Sequence, residues 1–266
     1  MKSIGLVGCG AIARFVLRAV DEGRLNVPVC GVTSRTESTA RVFLATLKQP
    51  VPWLSLDDLI EGSDIVVEAA GSHVVPDLAR RTFDRGKALI VISIGALLDH
   101  PEVMTLAREK GCGLILPSGA IAGLDAVKAA CAGRVDYVRL TSRKPPRALE
   151  GAPFLIQNGI SLDGLTNERQ LFTGPAREAV RGFPDNLNVS AALSLAGIGP
   201  DATTVEIWAV PGLTRNCHDV EVEGEFGLLR VHIENIPSEN PKTGRLTALS
   251  IIRAIQDEVD YVRVGT

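Results

Sequence analysis

A glycine-rich turn near the N-terminus has the spacing of a dinucleotide-binding loop. Gly8, Gly10 and Ala13 form a G-x-G-x-x-A pattern between a short apolar run and a stretch with helical periodicity. Gly8 permits a tight turn, Gly10 lets the backbone approach a pyrophosphate, and the small Ala13 allows the helix to pack closely on the strand. The first N–H groups of that helix, at Ala11 and Ile12, are then available to the phosphate charge. A tight turn without a ligand is the alternative, but the flanking strand and helix favour a dinucleotide.

The residues that end the second predicted strand bear on the choice between NAD and NADP. An acidic residue roughly 20 positions beyond the glycines usually accepts hydrogen bonds from the adenosine ribose. Ser34, Arg35 and Thr36 occupy that region here. The Arg35 guanidinium can pair with a 2′-phosphate while the hydroxyls donate hydrogen bonds, although a solvated Arg35 is the alternative. We therefore predict that NADP binds at least as readily as NAD. Gly71 and Gly95 follow two later predicted strands, and we expect them to contact the nicotinamide side of the cofactor because the carboxyl ends of parallel strands line the ligand crevice.

Four histidines are candidates for the proton transfer that accompanies hydride chemistry. His218 is followed by Asp219, a carboxylate that could orient its ring at the mouth of a predicted strand. His100 precedes a proline, His232 lies within a predicted strand, and His73 lies near the predicted cofactor crevice. His218 is therefore the candidate general acid or base, with a structural histidine as the alternative.

The composition indicates a folded protein whose partners are small molecules. The 266 residues include 28 basic and 31 acidic side chains with no basic block, so no nucleic-acid-binding surface is expected. The richest apolar run, residues 88–98, is about half the ~20 residues that cross a bilayer, so no membrane span is expected either. Nothing at the N-terminus resembles a signal peptide, which predicts a cytoplasmic protein.

The cysteines and histidines lack the spacing of a metal site. The five cysteines are scattered without a C-x-x-C pair, and the four histidines lack an H-x-x-x-H pair. We expect reduced cysteines that pack as small hydrophobic side chains, and no bound metal.

The hydrophobic periodicity divides the chain into two domains of different class. In the first half, short apolar runs alternate with amphipathic stretches, which predicts an N-terminal Rossmann-type α/β domain, a doubly wound parallel sheet covered by helices. Beyond about Gly119 apolar and polar residues alternate, which predicts a second, α+β domain with antiparallel strands. The predicted domains are residues 1–119 for dinucleotide binding, 120–240 for catalysis and dimerisation, and 241–266 for a C-terminal helix packing near the first domain.

The predicted elements follow from the same periodicities. The predicted strands are 3–7, 27–32, 64–69, 89–92, 114–116, 135–142, 204–210, 220–223 and 227–234. The predicted helices are 11–21, 37–47, 74–85, 101–110, 175–181, 189–196 and 245–257, the last with Leu246, Leu249, Ile252 and Ile255 on one face.

Five segments together resemble the L-aspartate dehydrogenases over nearly the whole chain. They are residues 8–13 (GCGAIA), 118–126 (SGAIAGLDA), 184–189 (PDNLNV), 216–218 (NCH) and 239–243 (ENPKT). The first segment is a general feature of dinucleotide-binding loops, whereas the combination of the other four is specific to this family. The resemblance implies that NAD or NADP oxidises L-aspartate to iminoaspartate, which gives oxaloacetate and ammonia on hydrolysis or enters NAD biosynthesis. It also implies a homodimer, cofactor contacts at Ala122 and Asn188, and His218 as the active-site residue.

The implied substrate carries two carboxylates, so its pocket should contain cations or helix ends. The candidates are Arg143 with Lys144, at the end of the strand predicted over 135–142, and Lys242 with Thr243 before the last helix. Each of these is, taken alone, more often a solvated surface group. His218 would then take or relay the proton while the Cα hydride passes to the cofactor.

Two other functions share these features. Another two-domain NAD(P)-dependent enzyme, such as a dihydrodipicolinate reductase or a sugar dehydrogenase, would have the same fold plan. The run from Glu68 to Gly71 contains no lysine, which counts against the sugar enzymes. A nonenzymatic NAD(P)-binding sensor is the second alternative, and formation of reduced cofactor with aspartate would exclude it.

Overall fold

The computed structural model describes residues 1–184, 187–236, 244–262 and 264–265, in two compact units. The first unit consists of Met1–Pro117 with Ala248–Arg263, and the second of Ser118–Thr247 with Val264–Thr266. Most of the C-terminal helix therefore belongs to the first unit.

The first unit is built on a five-stranded parallel sheet. Its strands are β1 (Ile4–Val7), β2 (Val29–Thr33), β3 (Ile65–Glu68), β4 (Ala88–Val91) and β5 (Leu114–Ile115). Its helices are α1 (Ala11–Asp21), α2 (Glu37–Leu44), α3 (Leu56–Gly62), α4 (Val75–Phe83), α5 (Ala96–Asp99) and α6 (Glu102–Lys110). The strand order β2-β1-β3-β4-β5 places β1 inside the sheet with neighbours on both sides, which is the doubly wound arrangement. Every residue of β1 and β3 is buried, as expected for strands covered on both faces.

The core of the first unit fixes the helix that follows the glycine turn. On α1, Ala13, Val16 and Leu17 are buried in the same cluster as Leu6 of β1. Ile251 of the C-terminal helix joins this cluster. Burial of each large aliphatic side chain stabilises the unit by about 1.5–3 kcal/mol, so the start of α1 is held firmly over the end of β1.

The second unit contains a five-stranded mixed sheet. Its strands are β6 (Val135–Lys144), β7 (Arg169–Pro175), β8 (Thr204–Ala209), β9 (Asn216–Gly224) and β10 (Gly227–Asn235), in the order β10-β9-β6-β8-β7. The remaining helices are α7 (Leu124–Ala130), α8 (Pro153–Gln157), α9 (Ala176–Gly182), α10 (Asn188–Ala196) and α11 (Arg245–Val259). Alternate residues of the central strand β6, such as Val138, Leu140, Ser142 and Lys144, are buried.

The predicted fold class is confirmed, but several element predictions are wrong. β6 and β8 pair in parallel, whereas antiparallel strands were expected. Alternation of apolar and polar residues has the same period in both arrangements, so it does not reveal direction. β9 begins at Asn216, four residues earlier than predicted, because its first residues are polar and yet buried. On α11 Leu249 is exposed, while Ala248 and Ile251 are buried.

Within the described ranges, no helix is long and apolar enough to cross a membrane. The same residues contain no group of three or more histidine, cysteine, aspartate or glutamate side chains that could hold a metal ion.

Candidate active site

The glycine turn of the first unit borders a cavity of about 550 Å³. Gly8 has a φ of +109°, and a Cβ there would lie 2.3 Å from the backbone oxygen of Ala69, so only glycine fits. A Cβ on Gly10, in contrast, would have nothing within 4 Å, so its backbone faces open space. α1 starts immediately afterwards, at Ala11, and directs the N–H groups of its first turn to the same place. The open approach at Gly10 and the helix terminus fit the pyrophosphate of a dinucleotide.

The same cavity is also lined by the residues expected to bind the adenosine ribose. Thr33, Ser34, Arg35 and Thr36 all line it. The Arg35 side chain is exposed, and Ser34 Oγ donates a hydrogen bond to the Thr36 backbone oxygen at 3.3 Å. Among the described residues that line the cavity there is no aspartate or glutamate, so a 2′-phosphate would meet no carboxylate there.

Glu68, at the end of β3, is a residue that the sequence analysis missed. It is completely buried, and its Oε1 accepts hydrogen bonds from the backbone N–H groups of Ala70 and Gly71, each at 2.8 Å. Its Oε2 accepts from the backbone N–H groups of Ile92 and Ser93, and Ser93 Oγ donates to Oε1. One carboxylate therefore holds together the turns that follow β3 and β4. A glutamate ending an otherwise apolar run was the available signal.

Gly71 lies in the first of these turns. Its φ of +111° is accessible mainly to glycine, and its neighbours Ala70 and His73 line the cavity. The structure thus places the predicted nicotinamide-side glycine beside the cavity, with its N–H group already bonded to Glu68.

The second unit buries ionisable side chains at one end of its sheet. β6 and β9 pair so that Ser142 lies opposite His218, with Ser142 Oγ 2.9 Å from His218 Nδ1. His218 is 2% exposed. Lys144 lies two residues beyond Ser142 on the same face of β6 and is also 2% exposed. Complete burial of a lysine beside a histidine is uncommon and marks this end of the sheet as a candidate site.

Burial disfavours the charged forms of both side chains. It lowers the pKa of Lys144 from 10.5 to about 8. Burial and, secondarily, the positive charge of Lys144 lower the pKa of His218 from 6.5 to about 3. The His218 imidazole is therefore neutral near pH 7, and Lys144 still carries most of its charge there. If the Nδ1 proton is donated to Ser142, Nε2 is the nitrogen that can accept a proton.

Two sequence-based pairings at this site are wrong. Adjacent residues of a strand point to opposite faces, so Arg143 and Lys144 do not form one cluster. Arg143 instead pairs with Asp219 on the other face, where both line a separate cavity of about 490 Å³. Asp219 also contacts His232 and does not orient His218, because neighbouring positions of β9 face apart.

The remaining predicted residues lie at helix starts or outside the described ranges. Ala122 is exposed in the segment before α7, and Asn188 is the half-buried first residue of α10. These segments adjoin each other, since a Cβ on Gly119 would lie 3.6 Å from Cγ1 of Val189. Lys242 and Thr243 lie outside the described residues.

Comparisons with known proteins cover both units. A family model described as aspartate dehydrogenase, C-terminal, matches residues 125–258, and one described as homoserine dehydrogenase, NAD binding domain, matches residues 8–117. The chain is 46% identical to L-aspartate dehydrogenase 3 of Bordetella bronchiseptica over 266 residues, covering 99% of this chain and 97% of that protein. It is 41% identical to L-aspartate dehydrogenase of Methanocella arvoryzae, with 100% of both chains covered.

Solved structures show the same fold at lower identity. A crystal structure of aspartate dehydrogenase from Thermotoga maritima matches with a TM-score of 0.77 and 22% identity, covering 100% of both chains. A homoserine dehydrogenase from Thiobacillus denitrificans matches with a TM-score of 0.62 and 13% identity, covering 100% of this chain and 77% of that one.

Proposed function

The chain belongs to the aspartate dehydrogenase family, and from that premise we propose that it oxidises L-aspartate to iminoaspartate with NAD or NADP. The observation that carries the proposal beyond family membership is the buried group Ser142, Lys144 and His218, which combines a neutral base with a positive charge. A dicarboxylic amino acid needs both, because a proton must leave its ammonium group while its carboxylates need a cation.

The first unit supplies the cofactor site in this proposal. When bound, the nicotinamide cofactor accepts the hydride from the substrate Cα. Gly8, Gly10, Ala11 and Ile12 bind the pyrophosphate through backbone groups and the start of α1. Ser34 and Arg35 bind the adenosine ribose or its 2′-phosphate, and the turn at Gly71 contacts the nicotinamide side. Ala122 and Asn188 are further cofactor contacts implied by the family.

His218 is the proposed general base. Ser142 fixes its ring through Nδ1, which leaves Nε2 to take a proton from the substrate amine and, on the enzyme, to activate the water that hydrolyses the imine. In the free protein, burial and, secondarily, the charge of Lys144 lower the pKa of this imidazole and make it a weak base. A substrate carboxylate bound beside Lys144 offsets that charge and so raises the pKa of His218 when the substrate is in place.

Lys144 is the proposed contact for one substrate carboxylate. Its ammonium is buried at the end of the sheet that also holds His218, so a carboxylate bound there would meet a positive charge that water screens little. Lys242 and Thr243 remain proposed contacts for the second carboxylate. A pocket that binds both carboxylates of L-aspartate discriminates against L-glutamate, whose extra methylene displaces one of them.

Two further properties are proposed from the family. We infer that the protein is a homodimer and that it works in the cytoplasm. Light scattering during size-exclusion chromatography checks the first, with twice the mass of one chain as the expected result and the mass of one chain as the contradicting one.

The proposed activity is tested by a substrate panel. NADH or NADPH formation at 340 nm should occur with L-aspartate and be at least 100-fold weaker, in kcat/KM, with L-glutamate, L-alanine, D-aspartate and L-homoserine. Binding of NAD(P) without reduction by any of these would indicate a nonenzymatic sensor. Equal activity on L-homoserine or L-glutamate would indicate another enzyme of the same fold.

A further inference from the structure

Asn216 is a buried amide whose oxygen is unused. It is the first residue of β9 and is 2% exposed. Its Oδ1 has no hydrogen-bond partner among the residues that the structure describes. A buried acceptor without a partner destabilises the folded state. Such an atom therefore calls for a donor from outside the described residues, and the neighbours of Asn216 indicate which donor that is.

The neighbours of Asn216 are the residues of the proposed active site. Asn216 and His218 are two positions apart on β9, so their side chains share one face of the sheet. The pairing of Arg143 with Cys217 brings Lys144, the next residue of β6, to the same end of that face as Asn216. The unused oxygen therefore belongs to the same buried site as His218 and Lys144.

Asn235, a second buried asparagine at this end of the sheet, differs from Asn216 in its hydrogen bonding. Asn235 of β10 lies opposite Asn216 and is 3% exposed, but its Nδ2 donates a hydrogen bond to the Ala120 backbone oxygen at 2.8 Å. Asn235 thus links β10 to the segment before α7 through its amide nitrogen, and neither of its polar side-chain atoms is among the buried unpartnered atoms of the described residues. Asn216 has no corresponding structural bond for its oxygen within the described ranges.

Resting on the proposed function, we infer that Asn216 Oδ1 accepts a hydrogen bond from the α-nitrogen of L-aspartate and so positions the amine for oxidation. Of the polar groups of this substrate, only the α-nitrogen is a donor, since both carboxylates are acceptors. The site offers acceptors, Asn216 Oδ1 and His218 Nε2, and a cation, Lys144. The two acceptors can therefore accept hydrogen bonds from the substrate nitrogen, and the cation can pair with a substrate carboxylate. Asn216 acts as a positioning residue, because it holds the nitrogen whose proton His218 takes.

The inference is tested by comparing two ligands that differ only in the amine. Succinate has the carbon chain and both carboxylates of L-aspartate but no nitrogen. Dissociation constants of L-aspartate and succinate for the NADH-bound protein, measured by calorimetry, report binding without turnover. Asn216→Leu removes the acceptor with little change in volume, and Cys217→Ala is the matched control because its side chain points to the opposite face of β9.

The parent should bind L-aspartate at least 10-fold more tightly than succinate. Asn216→Leu should weaken L-aspartate binding about 10- to 100-fold, the range for a hydrogen bond to a charged or polar donor, and leave succinate within twofold. Cys217→Ala should change neither ligand by more than twofold. If the leucine variant does not fold, as judged by its thermal transition and NADH binding, Asn216→Ala should show the same selective loss.

Two results would overturn the inference. Equal weakening of L-aspartate and succinate would mean that Asn216 contacts a carboxylate or merely supports the fold. Unchanged binding of both would mean that its oxygen does not contact the substrate. A parent protein that neither binds L-aspartate nor reduces NAD(P) with it would refute the proposed function itself, and the parent measurements reveal that independently of the variants.

Discussion

Replacing Lys144 with methionine should stabilise the protein and impair substrate binding at the same time. Burial lowers the pKa of Lys144 from 10.5 to about 8, which is a difference of about 2.5 pH units. Each pH unit corresponds to about 1.4 kcal/mol, so the buried charge costs the folded state about 3 kcal/mol near pH 7. Methionine has a similar length and no charge but also loses the interaction that the ammonium makes, so Lys144→Met should raise the free energy of unfolding by at most about this amount.

The pH dependence of this gain distinguishes a buried charge from better packing. Between pH 8 and 10.5 the unfolded lysine binds a proton that the folded lysine has lost, so the stability of the parent rises with pH in that window. The advantage of Lys144→Met should therefore be full below pH 8 and disappear by about pH 10.5. Urea denaturation at pH 7 and at pH 10.5, followed by tryptophan fluorescence, measures the free energies of unfolding of the parent and of Lys144→Met. Trp208 of β8 contributes to that fluorescence.

The adjacent Arg143 provides a matched control. It carries the same charge on the same strand but faces the other way and pairs with the half-exposed Asp219, so Arg143→Met should change stability by at most about 1 kcal/mol. Lys144→Met should raise KM for L-aspartate about 30-fold or more, while Arg143→Met should leave it within twofold. A Lys144→Met protein that is less stable than the parent at pH 7, or that has an unchanged KM, would refute the reasoning.

Three further substitutions test the other groups. His218→Gln should lower kcat about 100-fold or more and leave NADH affinity within twofold, whereas an unchanged kcat would remove His218 from the mechanism. The parent should lose stability as the pH falls from 6.5 towards 3, because the buried imidazole with its lowered pKa takes up a proton only on unfolding, and His218→Gln should reduce that loss. Glu68→Gln should weaken NADH binding about 10-fold and destabilise the first unit by about 2 kcal/mol, because the NH₂ group of the new amide would face backbone N–H donors. Unaltered NADH affinity and an unaltered melting temperature would contradict a role of Glu68 in holding the two turns together. Arg35→Ala should weaken NADP binding by about 1.5–3 kcal/mol and leave the affinity for NAD almost unchanged, as measured by titration of each cofactor. Equal losses of affinity for NADP and NAD would mean that Arg35 does not contact the 2′-phosphate.

The turn and helix that border the cavity of the first unit could be predicted from the sequence because their determinants are local. The spacing of Gly8, Gly10 and Ala13 specifies a turn and a helix start within six residues, and the predicted bounds of α1 match the structure. Arg35 likewise lies two residues beyond the end of β2 and lines the same cavity. Glu68 was missed because its hydrogen-bond donors belong to turns brought together only by strand pairing.

The proposed substrate site depends on contacts that sequence spacing does not reveal. Ser142 and His218 are 76 positions apart, and only the antiparallel register of β6 and β9 places them side by side. The adjacency of Arg143 and Lys144 in the sequence suggests one cluster, yet the pleat of the strand separates their side chains. His218 itself was selected largely through the family resemblance, since polar residues at the start of β9 hid the strand that buries it.

The central claim, that this chain removes a hydride from Cα of L-aspartate, is tested most directly with L-aspartate deuterated at C2. The cofactor recovered after reaction with NAD should be one mass unit heavier than NADH formed from unlabelled substrate, with the deuterium at nicotinamide C4. Reduced cofactor without deuterium, or no reduced cofactor at all, would contradict the account.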